Sequence, residues 1–152
     1  MVRNIGLGLL AILLILQFVG PSRPEVIEDN PGDILLASSP SVEIAGTLRS
    51  ACYDCHSMET KYPWYGYVAP ISWYLIEHIE HGREELNFST WTDLDKRAKL
   101  RVLKDIQEEV EEKKMPLESY ADLHEEAELT EEQRASIVQW AKALAIDVLK
   151  QK

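Results

Sequence analysis

The chain has 152 residues, 45% of them hydrophobic and 28% charged, which is enough apolar material for one domain with a core plus an extension. A formal net charge of −10 argues against nucleic acid, where clustered Lys and Arg are needed, and suits solubility and docking to basic partners. Two cysteines are too few for a disulfide framework.

In chain order, the first element is a hydrophobic segment. Arg3 precedes an uninterrupted apolar run from Ile5 to Leu16, and Pro21 ends the pattern. Residues 5–20 fall short of the roughly 20 that comfortably span a bilayer but fit the h-region of an export signal. No A-x-A site follows, so residues 1–20 are expected to be an uncleaved signal anchor, with a cleaved signal peptide as the alternative. Residues 21–40 contain four prolines and no sustained periodicity. They are expected to be a linker that holds the domain away from the membrane, with Asp33, Ile34 and Leu35 packed loosely onto it.

The domain is assigned to residues 41–150. A helix is predicted from Ser41 into Cys52, on the spacing of Val42, Ala45 and Leu48/Arg49. Pro63 and Gly66 make the following aromatic stretch a loop. A second helix is predicted over 70–81, with Pro70 in its first turn and Gly82 stopping it. The longest pattern, 93–114, carries a stripe of Leu94, Ala98, Arg101/Val102, Ile106 and Val110, and Pro116 ends it. Thr130 and Gln133 form a capping box opening a helix to about Lys150, with Ile137, Trp140/Ala141, Leu144 and Val148 on one face. No alternating run is long enough for a strand. The expected fold is all-α, with four to five helices.

The sharpest motif is Cys52-Tyr53-Asp54-Cys55-His56. Two thiols about one turn apart match the separation of the two haem vinyl groups, across which they add to form thioethers. A histidine directly after the second cysteine then lies under the iron. Three other uses of the thiols compete. A zinc site would need His78 and His81, at an unusual spacing. A redox pair would need a βαβ context. A plain disulfide leaves His56 unexplained.

The blocks CYDCHS, KYPWY, APISWYLIEHIEHGREELNFSTW and MPLESY together resemble the bacterial haem-binding domain family, small proteins related to class I cytochromes c. The resemblance covers about Leu48 to Ala143. It departs from the family pattern at Met58, where asparagine is common, and at His124-Glu125, where His-Pro is common. It implies a cytochrome c-like domain around covalent haem c held by Cys52 and Cys55, with His56 as iron ligand, outside the cytoplasm.

Met115-Pro116 offers the opposite axial ligand, a thioether placed after the haem motif and before the last helix, as in class I cytochromes. Its competing role is a core methionine filling a gap. His78 and His124 are the alternative ligands. His78 also suits packing beside the haem or bonding a propionate, and His81 a solvated helix end. Tyr62, Trp64, Tyr65 and Trp73 are expected to cover the porphyrin and donate to propionates, or simply to form the aromatic core. Arg83 and Lys61 could neutralise propionates.

The expectation for function is a monohaem c-type cytochrome. It would transfer single electrons to redox partner proteins on the periplasmic side of the inner membrane, and the N-terminal segment would hold it there. An electron carrier is favoured over an enzyme. The alternative is a peroxidase-like haem enzyme, or a sensor of diatomic gas or redox state, with an open sixth iron position.

Overall fold

The computed structural model describes residues 2–151, and its regular structure is helical throughout the described residues. The α-helices are α1 (Val2–Leu16), α2 (Ile34–Ser38), α3 (Val42–Ala51), α4 (Tyr53–His56), α5 (Ile71–Glu85), α6 (Lys96–Glu111), α7 (Glu118–Ala121) and α8 (Glu131–Lys150). Short 3₁₀ turns at Trp64–Tyr67, Phe88–Asp93 and Glu125–Ala127 join them. The all-α expectation holds. The expected helices correspond to α3, α5, α6 and α8, and the short α2, α4 and α7 are additions.

The capping signals act as the sequence implies. Ser41 accepts the Ile44 N–H at 3.3 Å and opens α3. α6 starts later than the expected 93, because Asp95 accepts the Ala98 N–H at 2.7 Å and caps the helix at Lys96. Thr130 and Gln133 complete both halves of the capping box of α8. The stripe of α3 is rotated from the expected one, however. Thr47, Leu48 and Ala51 are buried while Val42 faces solvent.

α6 and α8 form the main packed pair. Val102, Leu103, Ile106 and Val110 of α6 join Ile137, Val138, Trp140 and Ala141 of α8 in one apolar cluster with Leu48, Tyr53, Phe88 and Trp91. Each such aliphatic side chain contributes roughly 1.5–3 kcal/mol when fully buried.

One expectation is corrected. Asp33, Ile34 and Leu35 are not loosely packed, because all three are buried and the two aliphatics belong to the core cluster. The Asp33 carboxylate accepts the Leu35 N–H at 2.8 Å and the Tyr53 hydroxyl at 2.8 and 3.0 Å, so the segment is locked to the cysteine turn. The stretch after α1 also makes its own contacts with the domain. The Gln17 side-chain amide pairs both ways with the Ala69 backbone, at 3.1 and 3.0 Å. The Pro24 carbonyl accepts the Tyr62 hydroxyl, the Glu25 carbonyl accepts from Arg83, and the Ile27 N–H donates to Met58. Among the described residues, no helix is long and apolar enough to cross a membrane.

Candidate functional site

The cysteine turn is built by a break between two helices. The Cys52 N–H still closes the last turn of α3 on the Leu48 carbonyl at 2.9 Å. Its backbone then leaves helical geometry at φ −129° and restarts as α4. The Cys55 and His56 N–H groups both donate to the Cys52 carbonyl, at 3.2 and 2.9 Å. One turn therefore carries both thiols and the imidazole.

α5 crosses this turn at Gly82, which corrects the expected helix end. The helix runs through Gly82 to Glu85. A Cβ at Gly82 would lie 2.9 Å from the Cys55 carbonyl oxygen, so the residue is glycine because two backbones approach closely there. That approach brings the Gly82 and Leu86 carbonyls to 2.8 and 3.1 Å from Nδ1 of His56. Carbonyls only accept, so Nδ1 carries the proton and Nε2 keeps its lone pair. Burial lowers the imidazole pKa, opposed by these two hydrogen bonds, and the ring is held neutral. A neutral imidazole fixed through its far nitrogen is the form a metal ion takes.

His56 and Cys52 line a cavity of about 340 Å³, within the range of small-molecule sites. Leu48, Phe88, Val102, Ile106 and Ile137 make its wall largely apolar. Met115 lines the same cavity. It arrives there because α6 ends in a tight curl: Lys113 takes a left-handed φ of 60°, and the Lys114 and Met115 N–H groups both donate to the Glu109 carbonyl. Arg134 of α8 then fastens the curl, donating to the Met115 carbonyl at 2.7 Å and the Val110 carbonyl at 3.3 Å.

The other candidates lie elsewhere. The Nδ1 of His78 faces the Tyr74 carbonyl on the outer side of α5, next to His81 and Glu77. His124 has both ring nitrogens engaged, Nε2 with the Tyr65 hydroxyl at 3.2 Å and Nδ1 with the Tyr120 carbonyl at 2.9 Å. None of Tyr62, Trp64, Tyr65 and Trp73 lines the cavity. Tyr62 and Tyr65 spend their hydroxyls on Pro24 and His124, Trp73 packs over Gly20, and Trp64 is 77% exposed. Arg83 holds the Glu25 carbonyl and the Thr60 hydroxyl, and Lys61 is exposed.

Sequence reasoning missed four kinds of contributor. Gly82 was read as a helix stop and Arg134 was not considered. Phe88 was not singled out. Glu85, Asp105, Glu108 and Glu109 give the cavity an acidic rim, although the acidic stretch of α6 reads as a solvated face. For Asp105 and Glu109 the available signal was their spacing, three residues on from the buried Val102 and Ile106 of the same helix.

Burial raises the Cys52 thiol to about 12 and the Cys55 thiol to about 11. Both are protonated at neutral pH, unlike the lowered thiol of a redox pair. Among the described residues, no group of three or more His, Cys, Asp or Glu side chains is gathered as a metal-binding cluster.

The family model described as a haem-binding domain matches residues 11–143. No curated protein and no solved structure matches the chain. The residues fit a haem. An apolar cavity presents a neutral imidazole with Nε2 uncommitted, a thioether from a separate element, and a thiol in the wall. His56 and Met115 are the side chains in the cavity able to ligate iron, and Cys52 is the thiol in its wall, with Cys55 one turn further along.

Proposed function

The chain belongs to the haem-binding domain family and so binds haem, and we propose that it is a monohaem c-type electron carrier on the outer side of the cytoplasmic membrane. One observation carries this reading: His56, its Nδ1 tied to two backbone carbonyls, shares an apolar cavity with Met115. When bound, the haem supplies a one-electron ferric–ferrous couple, whose potential a His/Met donor pair raises relative to bis-His.

The chain's own residues hold and shield. Cys52 and Cys55 provide the attachment thiols, and Gly82 and Leu86 orient the imidazole. Leu48, Val102, Ile106 and Ile137 would keep water from a haem held in the cavity. With His56 and Met115 both bound to iron, no position would be left for a small molecule, which favours electron transfer over a peroxidase or gas sensor. Glu85, Asp105, Glu108 and Glu109 at the rim suit a basic redox partner. The apolar N-terminal segment with its single early arginine supports export and membrane attachment.

Expression of the full chain with a c-type maturation system, followed by a pyridine haemochrome spectrum, tests the cofactor. The expected result is a bis-thioether haem, and a colourless protein ends the reading. Met115→Ala tests the carrier assignment: the ferric spectrum shifts to high spin and loses its methionine–iron band in the near infrared. An unchanged spectrum removes Met115 as ligand. A wild-type ferric protein that is already high spin restores the enzyme or sensor.

A further inference from the structure

The aromatic run that avoids the cavity forms a face of its own. Trp64, Tyr67, Val68, Ile71 and Tyr74 all expose large apolar surface, although they lie within eleven consecutive positions of a folded domain. A contiguous apolar patch of this kind marks a docking site. We propose that this face seats in the headgroup layer of a lipid bilayer, so that the domain lies on the membrane in one orientation instead of swinging from a tether. The proposal rests on the membrane attachment argued above and adds the surface that makes contact.

The occupant follows from what the face adjoins. α1 is apolar and exposed on all sides, which is a helix surface suited to lipid. Its C-terminal end is bound to this face: Gln17 pairs with the Ala69 backbone, and Phe18, 91% exposed, and Val19 continue the patch. Trp73 packs over Gly20, and the Arg23 guanidinium sits 4.4 Å from the centre of the Tyr67 ring. A basic group over tyrosine, among Trp and Tyr, is the composition that settles at the membrane–water boundary.

α5 shows the same ordering along its length. Its outer face begins with exposed Ile71 and Tyr74, then changes to Glu77, Glu80, His81 and Glu84. Apolar and aromatic groups lie at the end held by Gln17, and charge gathers at the far end. A helix presenting a protein partner has no need of this gradient, whereas one that leaves a bilayer edge does.

The test uses the full haem-loaded chain in vesicles of equal parts phosphatidylethanolamine and phosphatidylglycerol. Nitroxide labels are placed at Tyr74→Cys or Trp64→Cys, with Glu84→Cys as the aqueous reference. Labels at 74 and 64 are expected to be several-fold less accessible to a water-soluble nickel relaxant than the label at 84, and more accessible to oxygen. Equal aqueous accessibility at all three, with the chain still sedimenting with the vesicles, overturns the docking face and leaves the anchor standing. Failure to sediment overturns both. Dipolar broadening between labels at 74 assigns the face to a second copy and also overturns the proposal. Amide exchange of residues 64–74 in the unsubstituted chain gives the same answer without a variant: slower exchange on vesicles than in the vesicle-free chain supports the seat, and unchanged exchange there overturns it. The haemochrome spectrum of the same sample reports the cofactor separately.

Discussion

The cysteine turn and the aromatic run are neighbours in sequence and opposites in the fold. Residues 52–56 face inward: their thiols and imidazole are half-buried, and backbone carbonyls fix the ring. Residues 62–74 face outward, with three aromatic rings more than half exposed. Both stretches have side chains that suit a porphyrin, yet one lines the cavity and the other covers a different surface. Side-chain chemistry thus says what a residue could cover, and the packing of α5 across the cysteine turn decides what it does cover.

The contrast can be broken from the inside first. Leu48 is 0% exposed and lines the cavity. Leu48→Ala is expected to cost about 2–5 kcal/mol in urea unfolding of the haem-loaded protein and to broaden its Soret band. Gly82→Ala comes next. The added methyl collides with the Cys55 carbonyl, so α5 must back away, at about 1–3 kcal/mol. The His56 orientation should loosen with it, raising the high-spin fraction of the ferric spectrum. Loss of stability without any spectral change would separate the glycine from the imidazole.

A pH test addresses the segment that locks onto the turn. Burial raises the Asp33 carboxyl above 3.8, opposed by the Tyr53 hydroxyl and the Leu35 N–H. A proton held more tightly in the fold than in the unfolded chain stabilises the fold below the unfolded pKa. That contribution is lost as pH rises through the folded value. Relative to wild type, Asp33→Asn should therefore gain stability as pH is raised from below 3.8 toward neutral, measured by urea midpoints at each pH. The smallest effect is expected outside. Trp64→Ala should change stability by less than about 0.5 kcal/mol and leave the Soret band in place. A shifted band would return Trp64 to the cofactor and erase the contrast.

Much of the inner region was legible in the sequence because local spacing sets it. Two cysteines and a histidine within one turn occupy one turn in the fold, and the caps at Ser41 and Thr130 act through bonds spanning three residues. Gly82 was not legible. A glycine near the end of an apolar pattern reads equally as a stop or as a close approach, and the Cys55 carbonyl that decides between them lies on another helix. Arg134 was hidden for the same reason, since its partner Met115 precedes it by 19 positions. The placement of the aromatic run was not legible, because burial beside a cofactor and exposure at a surface that meets a partner favour the same residue types.

Arg134 has one more consequence. The thioether side of the cavity is held in place by the last helix, whereas the thiol and imidazole side is complete by Leu86. The two halves of the site therefore come from chain regions that meet when α8 docks on α6. Under the proposed ligation, an unfolding experiment that follows the methionine–iron band reads the undocking of the C-terminal helix, and one that follows His56 reads the rest. Arg134→Ala should pull those two transitions apart.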